Sequence, residues 1–198
     1  MMVLAAKIIW CVGVAGWFII RYPHARRSRR TDKVRVVGRS LERVLLAIST
    51  CGLGIVPALF VFTDVLKFAD YPIQFWQPWM GALTFALSLW MFRQTHSQLG
   101  RNWSVTLEVR ANHSLVTEGV YAYVRHPMYT AFWLWALAQA VLLPNWMAGF
   151  SGIAGFGTLY LFRVGREEKT LLETFGDEYR RYMSRTGRII PGPDRRAD

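Results

Sequence analysis

YTAFWLWALAQAVLLPNWMAGFSGIAGFGTLYLFRV, running from Tyr129 to Val164, holds a single charged side chain, Arg163, next to its end. Two apolar runs, Tyr129 to Leu143 and Trp146 to Val164, are parted only by Pro144-Asn145. No domain fits between them, so the spacing predicts a tight helical hairpin. The first arm would reach about 22 Å at about 1.5 Å per residue, short of a full bilayer core. Gly149, Gly152, Gly155 and Gly157 fall in the second arm. A nucleotide-binding glycine loop needs a strand before it and an acid beyond it, and neither is present. Ser151 and Gly155, four apart, instead read as helix-packing positions.

Earlier in the chain the pattern repeats. Val3 to Ile20 is apolar apart from Lys7, which is placed to snorkel. Pro23-His24-Ala25 is a poor cleavage site, so this run is expected to stay as a first span. Val44 to Phe62 is a second, with Pro57 expected to kink it, and Trp79 to Phe92 a short third. After the hairpin, Arg166 to Arg185 carries apolar residues at helical spacing and predicts an amphipathic helix at the membrane interface. The expected fold is all-α with about five transmembrane helices.

A net charge of +11 sits on a chain that is 53% hydrophobic. The charge is gathered into blocks between long uncharged runs, the pattern of a polytopic membrane protein and not of a basic soluble one. Nucleic-acid binding would need a soluble domain to present the basic face, and no stretch between spans is long enough. Basic residues dominate Arg21 to Arg39, with Asp32 the lone acid, which places that loop in the cytoplasm and the N-terminus outside. Five spans then put the C-terminus inside. Cys11 and Cys51 lie in apolar runs as small buried hydrophobes, and the histidines lack metal-ligand spacing. The chain divides into a three-span region 1–92 with a basic loop 21–43, a core 93–191 and a flexible tail 192–198.

Two polar stretches fall on the cytoplasmic side of this topology. The first, NHSLVTEGVYAYVRHPMY from Asn112 to Tyr129, ends in Arg125-His126-Pro127 directly before the hairpin. Proline suits the first turn of a helix, and the remaining free amides there attract a carboxylate or similar anion. His126 and Tyr129 can add hydrogen bonds to the same ligand. The second stretch is Arg163 to Glu168, whose paired acids Glu167 and Glu168 are costly to bury without a partner. A ribose diol or an amino group would satisfy them. Arg93 and Arg163, at inner span ends, could each hold a carboxylate or a phosphate.

His113-Ser114-Leu115-Val116-Thr117, Gly119-Val120-Tyr121, Arg125-His126-Pro127-Met128-Tyr129, Glu167-Glu168 and Phe175-Gly176-Asp177-Glu178-Tyr179 occur in order, and this set resembles the isoprenylcysteine carboxyl methyltransferase family. That family is related to membrane phospholipid N-methyltransferases. The resemblance implies S-adenosylmethionine as methyl donor, S-adenosylhomocysteine as product, and a lipophilic acceptor, methylated at a carboxylate. It assigns His113, Ser114, Leu115, Val116, Tyr121, His126, Pro127, Met128, Tyr129 and Glu167 to the cofactor. It assigns Arg163 and Arg93 to the acceptor, and no metal. Arg163, Tyr129 and Glu168 are the candidate catalytic residues, the last two as bases if the acceptor is an amine.

The chain departs from the eukaryotic enzymes of that family in its smaller number of spans, which points to a prokaryotic inner membrane with a cytoplasmic site. Lipid N-methylation is the nearest rival. Membrane sterol reductases with NADPH resemble the same fold, but a dinucleotide phosphate calls for more basic residues than Arg101, Arg110 and Arg125 supply. A non-catalytic scaffold for anionic lipid is the remaining alternative.

Overall fold

The structure, a computed structural model, describes residues 1–28, 39–99 and 115–192, with side chains from 1–23, 40–99 and 115–192. Most of the basic loop, His113, Ser114, Arg101, Arg110 and residues 193–198 of the expected tail lie outside it.

Among the described residues the secondary structure is helical, with no strand longer than an isolated bridge. The helices are α1 (Met2–Ser28), α2 (Arg39–Thr50), α3 (Val56–Phe62), α4 (Gln77–Leu99), α5 (Pro127–Leu142), α6 (Trp146–Phe175) and α7 (Asp177–Arg185). In space α4 packs against both α1 and α5, α5 against α6, and α6 against α2 and α3. The core between them is built from Trp10, Phe60, Phe85, Trp135, Leu142 and Phe156. Two stretches, Met2–Pro23 and Ser40–Phe62, are long and apolar enough to cross a membrane. Their outer faces expose Leu4, Ile8, Val12, Phe18, Val44 and Ile55, an apolar surface that suits lipid and not water.

Four sequence expectations change in detail. A π-turn, Cys51–Ile55, joins α2 to α3 one turn ahead of Pro57, so the proline's missing donor is met by a widened turn. Cys51 is exposed there and not buried. Lys7 turns inward: its Nζ donates to Val61 O at 3.4 Å and lies 4.6 Å from the Phe60 ring. It thus caps a carbonyl in the last turn of α3, where a helix end favours a cation. The third helix outruns its predicted end. Residues Gln94 to Leu99 continue α4, and Thr95 and His96 are fully buried, so the long polar loop begins later than its composition suggested.

The hairpin forms as expected, with Asn145 as its hinge. The Asn145 side chain accepts from the amides of Met147 and Ala148, capping α6, and donates to Leu66 O and Asp70. Tyr71 N donates to Pro144 O, and Gln77 Nε2 to Val141 O, so the 63–76 loop seals the hairpin tip. The α2 segment and α6 run antiparallel in close contact. A Cβ on Gly52 would stand 2.2 Å from Ser151 O, and one on Gly155 would stand 2.8 Å from Ile48 O. Small residues are obligatory at that crossing. Gln139 Nε2 and Ser151 Oγ both donate to Gly52 O.

The amphipathic helix expected from Arg166 to Arg185 is divided. Helix α6 carries on without a break to Phe175, and Gly176, at φ +54°, turns the chain into α7. A left-handed φ at that point is one that glycine takes without strain.

Candidate active site

At the end of the bundle opposite the hairpin tip, four pieces of chain meet. The short helical turn Gly119–Ala122 is held to the end of α4, where Val120 N donates to Gln98 Oε1 at 2.9 Å. Its far side is held to α7, whose Tyr182 hydroxyl donates to Tyr121 O at 2.6 Å. The segment after α7 returns as a strap along the start of α5. There Arg125 N donates to Gly187 O at 2.8 Å, His126 N to Arg188 O at 2.9 Å, and Thr130 Oγ1 to Ile189 O at 2.7 Å.

The strap brings Arg188 to Glu168. Helix α6 extends beyond its apolar stretch to place Glu168 on its inward face, 5% exposed. Its Oε1 accepts from Arg125 Nη2 at 3.2 Å, from Arg188 Nε at 3.1 Å and from His126 Nε2 at 3.2 Å. Its Oε2 accepts from Arg188 Nη2. Arg125 is anchored in turn on the carbonyls of Met183 and Thr186. Burial alone would raise the Glu168 pKa, but the bonds and charges of His126 and Arg188 outweigh it and hold the group at about 2. An ionised acceptor at that distance makes His126 Nε2 the donor.

Glu167 behaves differently. Its Oε2 accepts from the Tyr129 hydroxyl at 2.6 Å, its Oε1 lies 4.0 Å from His126 Nδ1, and its side chain keeps 31% exposure. One acid is therefore consumed by the protein and the other is turned partly outward. His126 precedes α5 without capping it, and Pro127 opens the helix, so no side chain closes the first turn. Tyr129 also lies edge-on to Tyr160, with ring centroids 5.4 Å apart. Arg163, one turn before Glu167, forms an ion pair with Glu42 of α2 at 3.3 Å.

Residues 80–173 match the isoprenylcysteine carboxyl methyltransferase (ICMT) family model. The stretch runs from α4 through the hairpin to Glu173, and it contains every one of the acids and bases above except Glu42 and Arg188. Curated relatives agree. The chain is 36% identical over 96 residues to the protein-S-isoprenylcysteine O-methyltransferase of Schizosaccharomyces pombe, covering 48% of this chain and 41% of that one. It is 32% identical over 120 residues to that of Dictyostelium discoideum, covering 58% and 49%. It is 36% identical over 90 residues to the human one, covering 46% and 32%. The chain thus spans less than half the length of these relatives.

Several residues singled out in the sequence come together: His126, Pro127, Tyr129, Arg163, Glu167 and Glu168. Tyr121 is buried against α7, and burial, followed by the charge of Glu167, pushes its hydroxyl pKa well up. Leu115 and Val116 lead into the Gly119 turn, half-buried. Leu115 lines an open cleft with Gly119, Arg181 and Arg185. Met128 is half-buried in the first turn of α5. Arg93 is exposed on α4, and none of the contacts of the cluster described above involves it.

Glu42, Arg188 and the anchoring role of Arg125 were not foreseen. Arg188 lies far along the chain from Glu168 and in no motif. Glu42, the one acid beside an apolar run rich in basic neighbours, was visible but had no partner in the sequence. The sequence offers Glu168 as a candidate base for an amine acceptor. With both oxygens taken by guanidinium groups and a pKa near 2, it is a poor proton acceptor and a good anchor.

Proposed function

We propose that the chain is an integral-membrane S-adenosylmethionine-dependent methyltransferase acting on the carboxylate of a lipophilic, prenylcysteine-like acceptor. The observation that carries the reading is the division of labour between the paired acids, within the stretch that matches the ICMT family. Glu168 locks the floor of the site and Glu167 remains partly open beside Tyr129.

The donor's chemistry suits these residues. An amino acid zwitterion joined to a ribose asks for an acid to meet hydroxyl or ammonium donors, and for donors to meet a carboxylate. Glu167, already half-solvated, supplies the first. The uncapped first turn of α5 supplies the second through the Met128 and Tyr129 amides. His113, Ser114, Leu115, Val116, Tyr121, His126 and Pro127 are assigned to the remainder of that pocket. Bound there, S-adenosylmethionine supplies a methyl group on a sulfonium, whose C–S electron pair stays on sulfur as the new bond to the acceptor oxygen forms.

The protein's part is then positioning and exclusion of water. Arg163 would hold the acceptor carboxylate, which is nucleophilic as it stands and needs no base. Arg93, exposed on α4, is kept for an outer contact with acceptor or headgroup. The low proton affinity of Glu168 supports a carboxylate acceptor over an amine, since an amine must lose a proton. The five-span topology is retained in this reading, with N-terminus out and site at the cytoplasmic face of a prokaryotic inner membrane. Its support is that the later part of α1, the end of α4, the Gly119 turn and Glu42 share one end of the bundle.

The test is calorimetric titration of detergent-solubilised protein with S-adenosylmethionine and S-adenosylhomocysteine, NADPH serving as the control. Saturable binding that is lost in Glu167→Ala and His126→Ala is expected. A well-folded protein that binds neither, or that binds NADPH instead, would falsify the reading. Labelled methyl transfer into a synthetic S-prenylcysteine should give a base-labile ester.

A further inference from the structure

The inward-facing residues of α2 are Glu42, Leu45 and Ser49, with Gly52 following in the π-turn. Steps of three and four residues mark a single helical face. Gly52 lies against Ser151 and Gly155, so this face is the one packed on α6. Such a stripe would ordinarily carry another apolar residue at its end. Here it carries a carboxylate that is 4% exposed. Its partner, Arg163 on α6, has a side chain that is 12% exposed, with Nη2 3.3 Å from Glu42 Oε1.

Fold stability does not call for this pair. Well-packed apolar residues in place of a buried ion pair are commonly neutral or stabilising. Helix crossing does not call for it either, because Gly52 and Gly155 already set the approach of α2 to α6. The pair stands instead beside the site: Arg163 lies one turn before Glu167 on α6, and Glu167 accepts from the Tyr129 hydroxyl. Glu42 also lies outside the 80–173 stretch that matches the ICMT family, so it comes to the site from the other half of the chain.

We infer that Glu42 is a positioning residue for the methyl acceptor, acting through Arg163. The inference rests on the methyltransferase reading of Arg163. A guanidinium is planar, with its donors in a rigid fork, so a carboxylate bound to one terminal nitrogen fixes the plane of the whole group. Glu42 gives Arg163 that fixed plane before the acceptor arrives and balances its charge while the site is empty of acceptor. The acceptor carboxylate then meets a cation whose orientation has already been set, and less order has to be imposed during binding.

The experiment measures S-adenosylmethionine affinity and steady-state transfer to a synthetic S-prenylcysteine, for wild type, Glu42→Gln, and the exchange Glu42→Arg with Arg163→Glu. Glu42→Gln is expected to lower kcat/KM for the acceptor tenfold or more and to leave the cofactor Kd within twofold. The exchange keeps the ion pair, so it should melt at the wild-type temperature and bind cofactor, yet show no turnover. An exchange variant that regains turnover would make the pair a mere strut and overturn the inference. So would wild-type kinetics in Glu42→Gln, or a parallel loss of cofactor affinity. A wild type that transfers no methyl group to the probe overturns the carboxyl methyltransferase reading itself, and the inference with it.

Discussion

The two ends of this bundle are tied by opposite means. At the hairpin tip the donors are neutral amides: Asn145 Nδ2 donates to Leu66 O and Asp70 Oδ1, Gln77 Nε2 to Val141 O, and Tyr71 N to Pro144 O. At the other end the ties are charged: Arg125, His126 and Arg188 converge on Glu168, and Arg163 meets Glu42. Neutral amides satisfy a buried backbone at little desolvation cost, whereas buried charges cost several kcal/mol each before pairing repays it. A structure that needed only to hold its helices together could use the cheaper device twice. Buried guanidinium–carboxylate pairing is what sets the far end apart from the tip.

The widest expected gap between the ends comes from removing the central acid. Glu168→Ala leaves Arg125, 9% exposed, without its carboxylate, and about 3–5 kcal/mol of stability should go with it. A thermal melt in detergent checks this, together with loss of cofactor binding. Titration probes the same group without mutation. The folded pKa of Glu168 lies below its ordinary 4.5, at about 2. Its contribution is therefore complete above pH 4.5 and fades as the pH falls toward 2. Wild type should lose stability across that window, and Glu168→Gln should lose less of it there.

The neutral end should yield less and leave function alone. Asn145→Ala removes the α6 cap and two loop bonds, for about 1–2 kcal/mol, with the cofactor Kd unchanged. A change in Kd of the same size as at the charged end would break the comparison. Tyr129→Phe removes one hydrogen bond to Glu167 and should cost about 0.5–1.5 kcal/mol of cofactor affinity, read by calorimetry. The smallest effect belongs to Arg93→Ala. Exposed on α4, it should shift stability by less than about 0.5 kcal/mol and raise acceptor KM less than Arg163→Ala does.

The hairpin was legible because Pro144-Asn145 leaves no room for anything else between two apolar arms. The clustering of His126, Pro127, Tyr129 and Glu167 was legible because they sit in compact motifs whose order carries information. What the sequence concealed was pairing at a distance. Nothing local to Glu42 names Arg163, and nothing local to Arg188 names Glu168, since each pair is set by how helices and strap cross in space. Helix ends were hidden for a related reason. Thr95 and His96 are polar and read as loop, yet α4 continues through them because both are buried in the bundle.

The strap after α7 also sets a sequence of events in time. Arg188 leaves the ribosome only after all of the described helices have been made, and domains are built from the N-terminus onward. Every apolar segment can therefore enter the bilayer while Glu168 still lacks half of its guanidinium partners. A chain stopped after Arg185 should reach the membrane at normal levels and fail to hold cofactor. The cluster around Glu168 thus becomes whole only after the helices that carry it, and a chain stopped short of Arg188 would leave it open.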